Sequence, residues 1–176
     1  MLGKEPISAN AIFAPDPLRS HRGRIDPEAV ETPELCKGLA LWHTLRGARC
    51  YPSLQQMSPR ALGALLRHTI LIKVLDRENE FQVRIIGDAI MAVQTDPLQG
   101  LTTAQVDELL PGYGAGLRRM YSYVCATKAP IAFRGELRRE ADGRVFHREH
   151  LLVPLGDTDD AVDHLISFIV YIEPAH

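Results

Sequence analysis

The run His147-Arg148-Glu149-His150 is the part of the chain best equipped for chemistry, because two imidazoles flanking a guanidinium and a carboxylate could ligate a metal or move a proton. The surrounding pattern sets what they can reach. Arg144 to Val153 reads as a β-strand, and side chains on a strand alternate faces, so His147 and His150 point to opposite sides and cannot share one ion. A tetrahedral site needs about four convergent ligands, and no metal site is expected here. The three cysteines, Cys36, Cys50 and Cys125, are an odd number without a close pair. That count speaks against a disulfide framework or a Cys-rich zinc site and fits reduced thiols in a cytoplasm.

Asp142-Gly143, read as a two-residue hairpin loop, sets Ala141 against Arg144, Leu137 against Arg148, Gly135 against His150 and Phe133 against Leu152. One face of the hairpin then carries Ile131, Phe133, Gly135, Leu137, Phe146, His150 and Leu152. The other carries Arg134, Glu136, Arg138, His147 and Glu149, a set suited to solvated cross-strand ion pairs. His150 is thus either a core histidine bonded to backbone or the polar anchor of a ligand pocket, with Phe133 beside it.

The remaining elements follow from period and punctuation. Prolines 6, 15, 17 and 27 with scattered charges make residues 1–31 an extended or disordered arm. Thr32-Pro33 opens a helix whose stripe is Leu35, Leu39, Trp42 and Leu45, and Ser58-Pro59 opens a shorter one ending near His68. These form a helical cap over residues 32–69, followed by a core domain over 70–176. Ile70 to Leu75 and Phe81 to Ile86 alternate as a hairpin. Short helical pieces are expected at Asp88 to Gln94 and Thr103 to Leu110. Leu117, Met120, Tyr121 and Val124 then fall on one face of a longer helix that Pro130 ends. Three strands close the chain: Ile131 to Arg139, Arg144 to Val153 and Asp163 to Ile172. The fold class is α+β with an antiparallel sheet. In the last strand Ile166, Phe168 and Val170 face one way and Leu165, Ile169 and Tyr171 the other, so both faces of the sheet need cover. The Leu35/Leu39/Trp42/Leu45 stripe can supply it, from its own chain or across a dimer.

The chain has 176 residues, 45% of them hydrophobic and 24% charged, in the range of one globular domain. A net charge of −2 gives no basic footprint for nucleic acid or anionic lipid. No apolar run reaches the roughly 20 residues that cross a bilayer, and the first residues lack the continuous apolar stretch of a signal peptide.

Trp42, Arg46, Gly47, Arg49, Pro52 and Pro59, followed by Ile70 to Leu75, Arg84, Gly87, Ile90 and Gly100, resemble a bacterial family of single-domain PAS proteins. The resemblance spans about residues 34–173; Thr95 and Gln99 stand where that pattern has glycine and threonine. It implies a PAS-like five-stranded antiparallel sheet, with short helices and one longer helix on one face and the N-terminal amphipathic helix on the other. It further implies a noncatalytic sensory or regulatory module of the cytoplasm. Such a module binds a small ligand or a signalling protein, forms a homodimer, and signals through its sheet and N-terminal helix. Leu35, Leu39, Trp42 and Leu45 would form the dimer or cap interface. His150, Tyr121, Met120, Met91 and Phe133 would line a pocket under the sheet. Cofactor and ligand stay unassigned. Residues 116–128 lack the histidine with which haem sensors of this fold hold iron, and Cys125 lacks the Asn-Cys-Arg setting of flavin photoreceptors. Two other classes remain open: a cone-shaped α+β isomerase or dehydratase using a buried base, and a ligand-free adaptor.

Overall fold

A computed structural model describes residues 23–75, 79–139 and 142–174. In chain order it contains strand β1 (Arg24–Ile25), a 3₁₀ turn (Pro27–Ala29), helix α1 (Pro33–Arg46), helix α2 (Pro59–Leu62) and a second 3₁₀ segment (Gly63–His68). Strands β2 (Thr69–Leu75) and β3 (Glu80–Ile86) follow, then helices α3 (Asp88–Met91), α4 (Thr103–Leu109) and α5 (Tyr113–Thr127). Strands β4 (Ile131–Arg138), β5 (Val145–Leu155) and β6 (His164–Ile172) end the fold. Local chemistry marks most of these boundaries. Pro33 and Pro59 occupy first helical turns, the Ser58 hydroxyl accepts from the Ala61 N–H, and Thr102 and Gln105 form a reciprocal capping box at α4. Lys128 ends α5 in a left-handed conformation, φ 55°, ahead of Pro130.

The sheet order is β1-β4-β5-β6-β2-β3, antiparallel at every junction. The five expected strands are all present. A sixth, β1, joins the β4 edge by pairing Arg24 with Phe133 and Ile25 with Ala132. The end of the arm from Gly23 onward is therefore an edge strand and a 3₁₀ turn; the rest of the arm, residues 1–22, lies outside the described residues.

Both sheet faces are covered. The short helices and α5 lie on the inner face, where Ile131, Leu152 and Leu165 are 2% exposed or less. Helix α1 lies across β5 and β6 on the outer face, with Leu35, Leu39 and Trp42 at most 4% exposed. It covers the sheet of its own chain. Each such side chain contributes roughly 1.5 to 3 kcal/mol of burial. Gly38 permits the close approach, since a Cβ there would stand 3.0 Å from the Phe168 ring.

The segment around Trp42 works as a fastening. Trp42 Nε1 donates to the Pro154 carbonyl at 2.9 Å, and the Arg46 guanidinium lies over the indole ring. Arg46 also donates to the Arg49 carbonyl, Arg49 to the Gly156 carbonyl, and the Gly156 N–H to the Pro52 carbonyl. The end of α1 is thus tied to the loop that joins β5 to β6. Near the departures from the family pattern, Gln99 Oε1 accepts from the Ile86 N–H and the Gly100 N–H donates to Val83. That loop is held to β3 by a side chain.

The β4–β5 hairpin departs from expectation. Leu137 pairs with Phe146, Gly135 with Arg148, and Phe133 with His150, a shift of two residues. The Arg139 N–H donates to Arg144 and the Gly143 N–H to Arg139, so the last backbone pair of the hairpin is Arg139 with Arg144. Asp142 accepts from the Arg144 N–H and pairs with Arg139, and Gly143 carries φ 71°. These contacts hold a longer turn than a two-residue type I′ loop. A shift by two preserves each residue's face.

Candidate functional site

Between the inner sheet face and the helices lies a cavity of about 30 Å³. Its sheet side is formed by Arg148 and His150 of β5 and Ser167 and Ile169 of β6. Its roof comes from Tyr113, Leu117, Met120 and Tyr121 of α5, and Gln94, Asp96 and Leu98 close the side between α3 and α4. Alternation along β5 and β6 puts these residues on one face, and the antiparallel pairing of Arg148 with Tyr171 and His150 with Ile169 brings the polar ones together.

His150 is 1% exposed and its Nε2 lies 2.5 Å from the Ser167 hydroxyl. Burial first, then the charge of Arg148, pushes the imidazole pKa well below 6.5, so the ring is neutral at pH 7. Arg148, 6% exposed, is hydrogen-bonded to the Tyr171 hydroxyl. Tyr171 donates in turn to Gln94 Oε1 at 3.1 Å, and Gln94 Nε2 donates to the Tyr113 hydroxyl at 3.1 Å. Burial lowers the guanidinium's pKa, yet arginine remains a cation at neutral pH. Burial also raises both phenols, Tyr113 to about 12, which keeps them protonated donors. The cavity wall therefore sets an enclosed cation among neutral hydrogen-bonding groups, with the Asp96 carboxylate at the side between α3 and α4.

One residue separates Arg148 from His150, and it faces outward. The Glu149 carboxylate accepts from the Glu31 N–H at 3.0 Å, the Thr32 N–H at 2.7 Å and the Arg134 guanidinium at 2.6 Å. Glu31 and Thr32 immediately precede α1, so Glu149 grips the start of that helix. Thr32 itself makes no side-chain cap. Burial would raise the Glu149 pKa, but the bonds from Thr32, Arg134 and Glu31 outweigh it and hold the carboxyl below its usual value. Glu149 was expected among solvated ion pairs. At 5% exposure it is instead a buried clamp, because the chain entering α1 passes over it. His147 and Glu136 on the same face stay exposed, 3.5 Å apart.

Of the expected pocket residues, His150, Met120 and Tyr121 line the cavity. Phe133, 5% exposed, stands behind His150 with ring centroids 5.8 Å apart. Met91 does not reach the cavity: in the single turn of α3, Ile90 takes the inward position, and Met91 is 53% exposed. Leu35, Leu39 and Trp42 are buried in the cap, and Leu45 is partly buried against the same core. Sequence reasoning missed Arg148, Ser167, Gln94 and Tyr113. Alternation from His150 already assigns Arg148 to the inner face, and the hairpin reading set it against Leu137 there without naming it as a pocket residue. Tyr113 stands four residues before Leu117 on the buried stripe of α5, so the helical period could have found it, whereas Gln94 carries no such signal because a loop path brings it in.

A PAS-domain family model matches residues 30–170, and the chain belongs to that family. Among solved structures, the PAS domain of BvgS from Bordetella pertussis is similar at 19% identity, covering 70% of this chain and 87% of that one, with a TM-score of 0.48. The PAS domain of an HTR-like protein from Haloarcula marismortui is similar at 18% identity, covering 68% and 94%, with a TM-score of 0.38. No curated protein matches. PAS domains are in general sensory modules that commonly mediate interactions and dimerisation. Among the described residues, no helix is long and apolar enough to cross a membrane.

Proposed function

We propose that this chain is a noncatalytic sensory or regulatory module of the cytoplasm. It takes a small ligand in the cavity beneath β5 and β6, or a protein partner on its surface, and passes the change to α1. The observation that carries this reading is the order of three consecutive residues on β5. Arg148 and His150 border the cavity while Glu149, between them, holds the start of α1. A strand that shifts to meet a ligand on one face moves the clamp on the other. Such a ligand acts only through different affinities for two arrangements of the clamp.

The enzyme reading needs an aspartate and a histidine placed to exchange a proton, whereas His150 Nε2 is engaged by Ser167 and burial disfavours its protonation. A cavity of about 30 Å³ is far below the roughly 300 to 1,000 Å³ of ordinary ligand pockets, so the ligand is small. That volume also favours a second reading, a ligand-free adaptor that recruits a protein. Dimerisation belongs to the proposal as well. Because Leu35, Leu39 and Trp42 are spent on their own sheet, a second copy would pair through other surface.

Native mass spectrometry of protein purified from its own host tests the sensory reading. A stoichiometric small adduct that is lost in His150→Leu supports it. An empty chain that co-purifies with another protein supports the adaptor.

A further inference from the structure

We propose that the cavity is a site for a small carboxylate or oxyanion, held by the Arg148 guanidinium with help from the Ser167 and Tyr113 hydroxyls. The proposal deepens the sensory reading and rests on it. The first ground is geometric: Arg148 is 6% exposed and borders the cavity, with Ser167, His150 and Tyr113 at most 4% exposed around the same space. A guanidinium in a low-dielectric enclosure attracts an anion far more strongly than one in water, and its planar fork matches the two oxygens of a carboxylate.

The second ground is the character of the neighbours. Arg148 is bonded to a phenol, Tyr171, whose hydroxyl donates to Gln94 and so on to Tyr113, and burial keeps both phenols in their neutral, donating form. His150 is held neutral too and is hydrogen-bonded through Nε2 to the Ser167 hydroxyl. An incoming anion would thus meet one positive charge and several donors. Asp96, half-buried, is the one carboxylate among the described lining residues. Its charge opposes an anion and favours a cation, which makes it the discriminating position. The third ground is size. About 30 Å³ exceeds the roughly 10 to 15 Å³ that one water needs, and suits an anion of about two to four heavy atoms.

The test uses sodium formate, acetate and nitrate as probes, titrated at constant ionic strength into the full chain and read by calorimetry and by amide and guanidinium NMR shifts. The expected result is saturable one-to-one binding of at least one probe, with shifts centred on Arg148, His150 and Ser167. Arg148→Met should weaken that binding at least tenfold. Asp96→Asn, a change on a partly exposed loop, should leave it unchanged or tighten it severalfold. Absence of saturable shifts with all three probes would overturn the proposal, as would undiminished binding in a folded Arg148→Met or weakened binding in Asp96→Asn. If Arg148→Met does not fold, the wild-type shift map and Asp96→Asn decide. A neutral or cationic adduct found in host-purified protein would overturn the anion assignment while leaving the sensory reading intact. An empty cavity with a co-purifying protein would end the anion assignment and ligand sensing together, leaving recruitment of a protein.

Discussion

His150 shows how much a single enclosed imidazole can impose on the whole chain. Its folded pKa is depressed by burial and by Arg148, while the unfolded chain protonates near 6.5. Between those two values the unfolded state binds the extra proton, so stability is complete above about pH 6.5 and falls as the pH drops toward the folded value. The slope reaches at most about 1.4 kcal/mol per pH unit for one proton. Urea denaturation from pH 8 to 5 should show this loss in the wild type and a flatter profile in His150→Gln; equal slopes in both would contradict it. The Glu149 contribution lies lower, lost only as the pH falls below the unfolded carboxyl value of 4.5. His150 was legible in the sequence because alternation next to an apolar run points one way only. The face of Arg148 was legible in the same way, but its role and that of Glu149 were not, because what a charged side chain does depends on its partners. Those partners, Tyr171 for one and the Glu31 and Thr32 N–H groups for the other, come from segments distant in sequence.

Helix α1 is the element on which the proposed signal depends, and its seat on the sheet is set by Gly38. A side chain at that position must displace either the helix or the Phe168 ring, because even a Cβ would stand 3.0 Å from it. Gly38→Leu should therefore destabilise the protein by roughly 1 to 3 kcal/mol, the usual cost of overpacking, despite leucine's better helix propensity. Thermal or urea denaturation checks this, and unchanged or increased stability would mean that the helix is not packed as described. The helix itself, its Thr32-Pro33 start and its buried stripe were readable from spacing. The hairpin register was not, since Asp142-Gly143 resembles a two-residue turn, and the longer loop is set by hydrogen bonds from Arg139 and Gly143. The edge strand β1 is only two residues long and has no pattern to read.

At the scale of the molecule, two helical layers enclose one sheet, and the stripe available for dimerisation already serves the fold. Trp42→Ala should cost roughly 3 to 5 kcal/mol of stability, the range for emptying a large aromatic site. It should do so at any protein concentration, because the indole packs on its own chain and bonds to Pro154. A loss that vanished at high concentration would place Trp42 between subunits instead. Sedimentation velocity addresses the pairing itself: a dimer is expected, and a monomer at high micromolar concentration would contradict it. The α+β class and the antiparallel sheet were legible because strand periods and turns fix them locally. The cavity was not, because its volume depends on how Tyr113, Gln94 and Leu98 close over β5 and β6.

Backbone hydrogen–deuterium exchange at residues 31–39, compared between wild type and Ser167→Ala, tests most directly whether the inner face of β5 governs α1. Ser167 touches His150 inside the cavity, while the reporting N–H groups of Glu31 and Thr32 lie on the far side of the sheet, in the grip of Glu149. Faster exchange is expected over residues 31–39, with β2 and β3 unchanged. Exchange that changes only in β5 and β6, or nowhere, would contradict it.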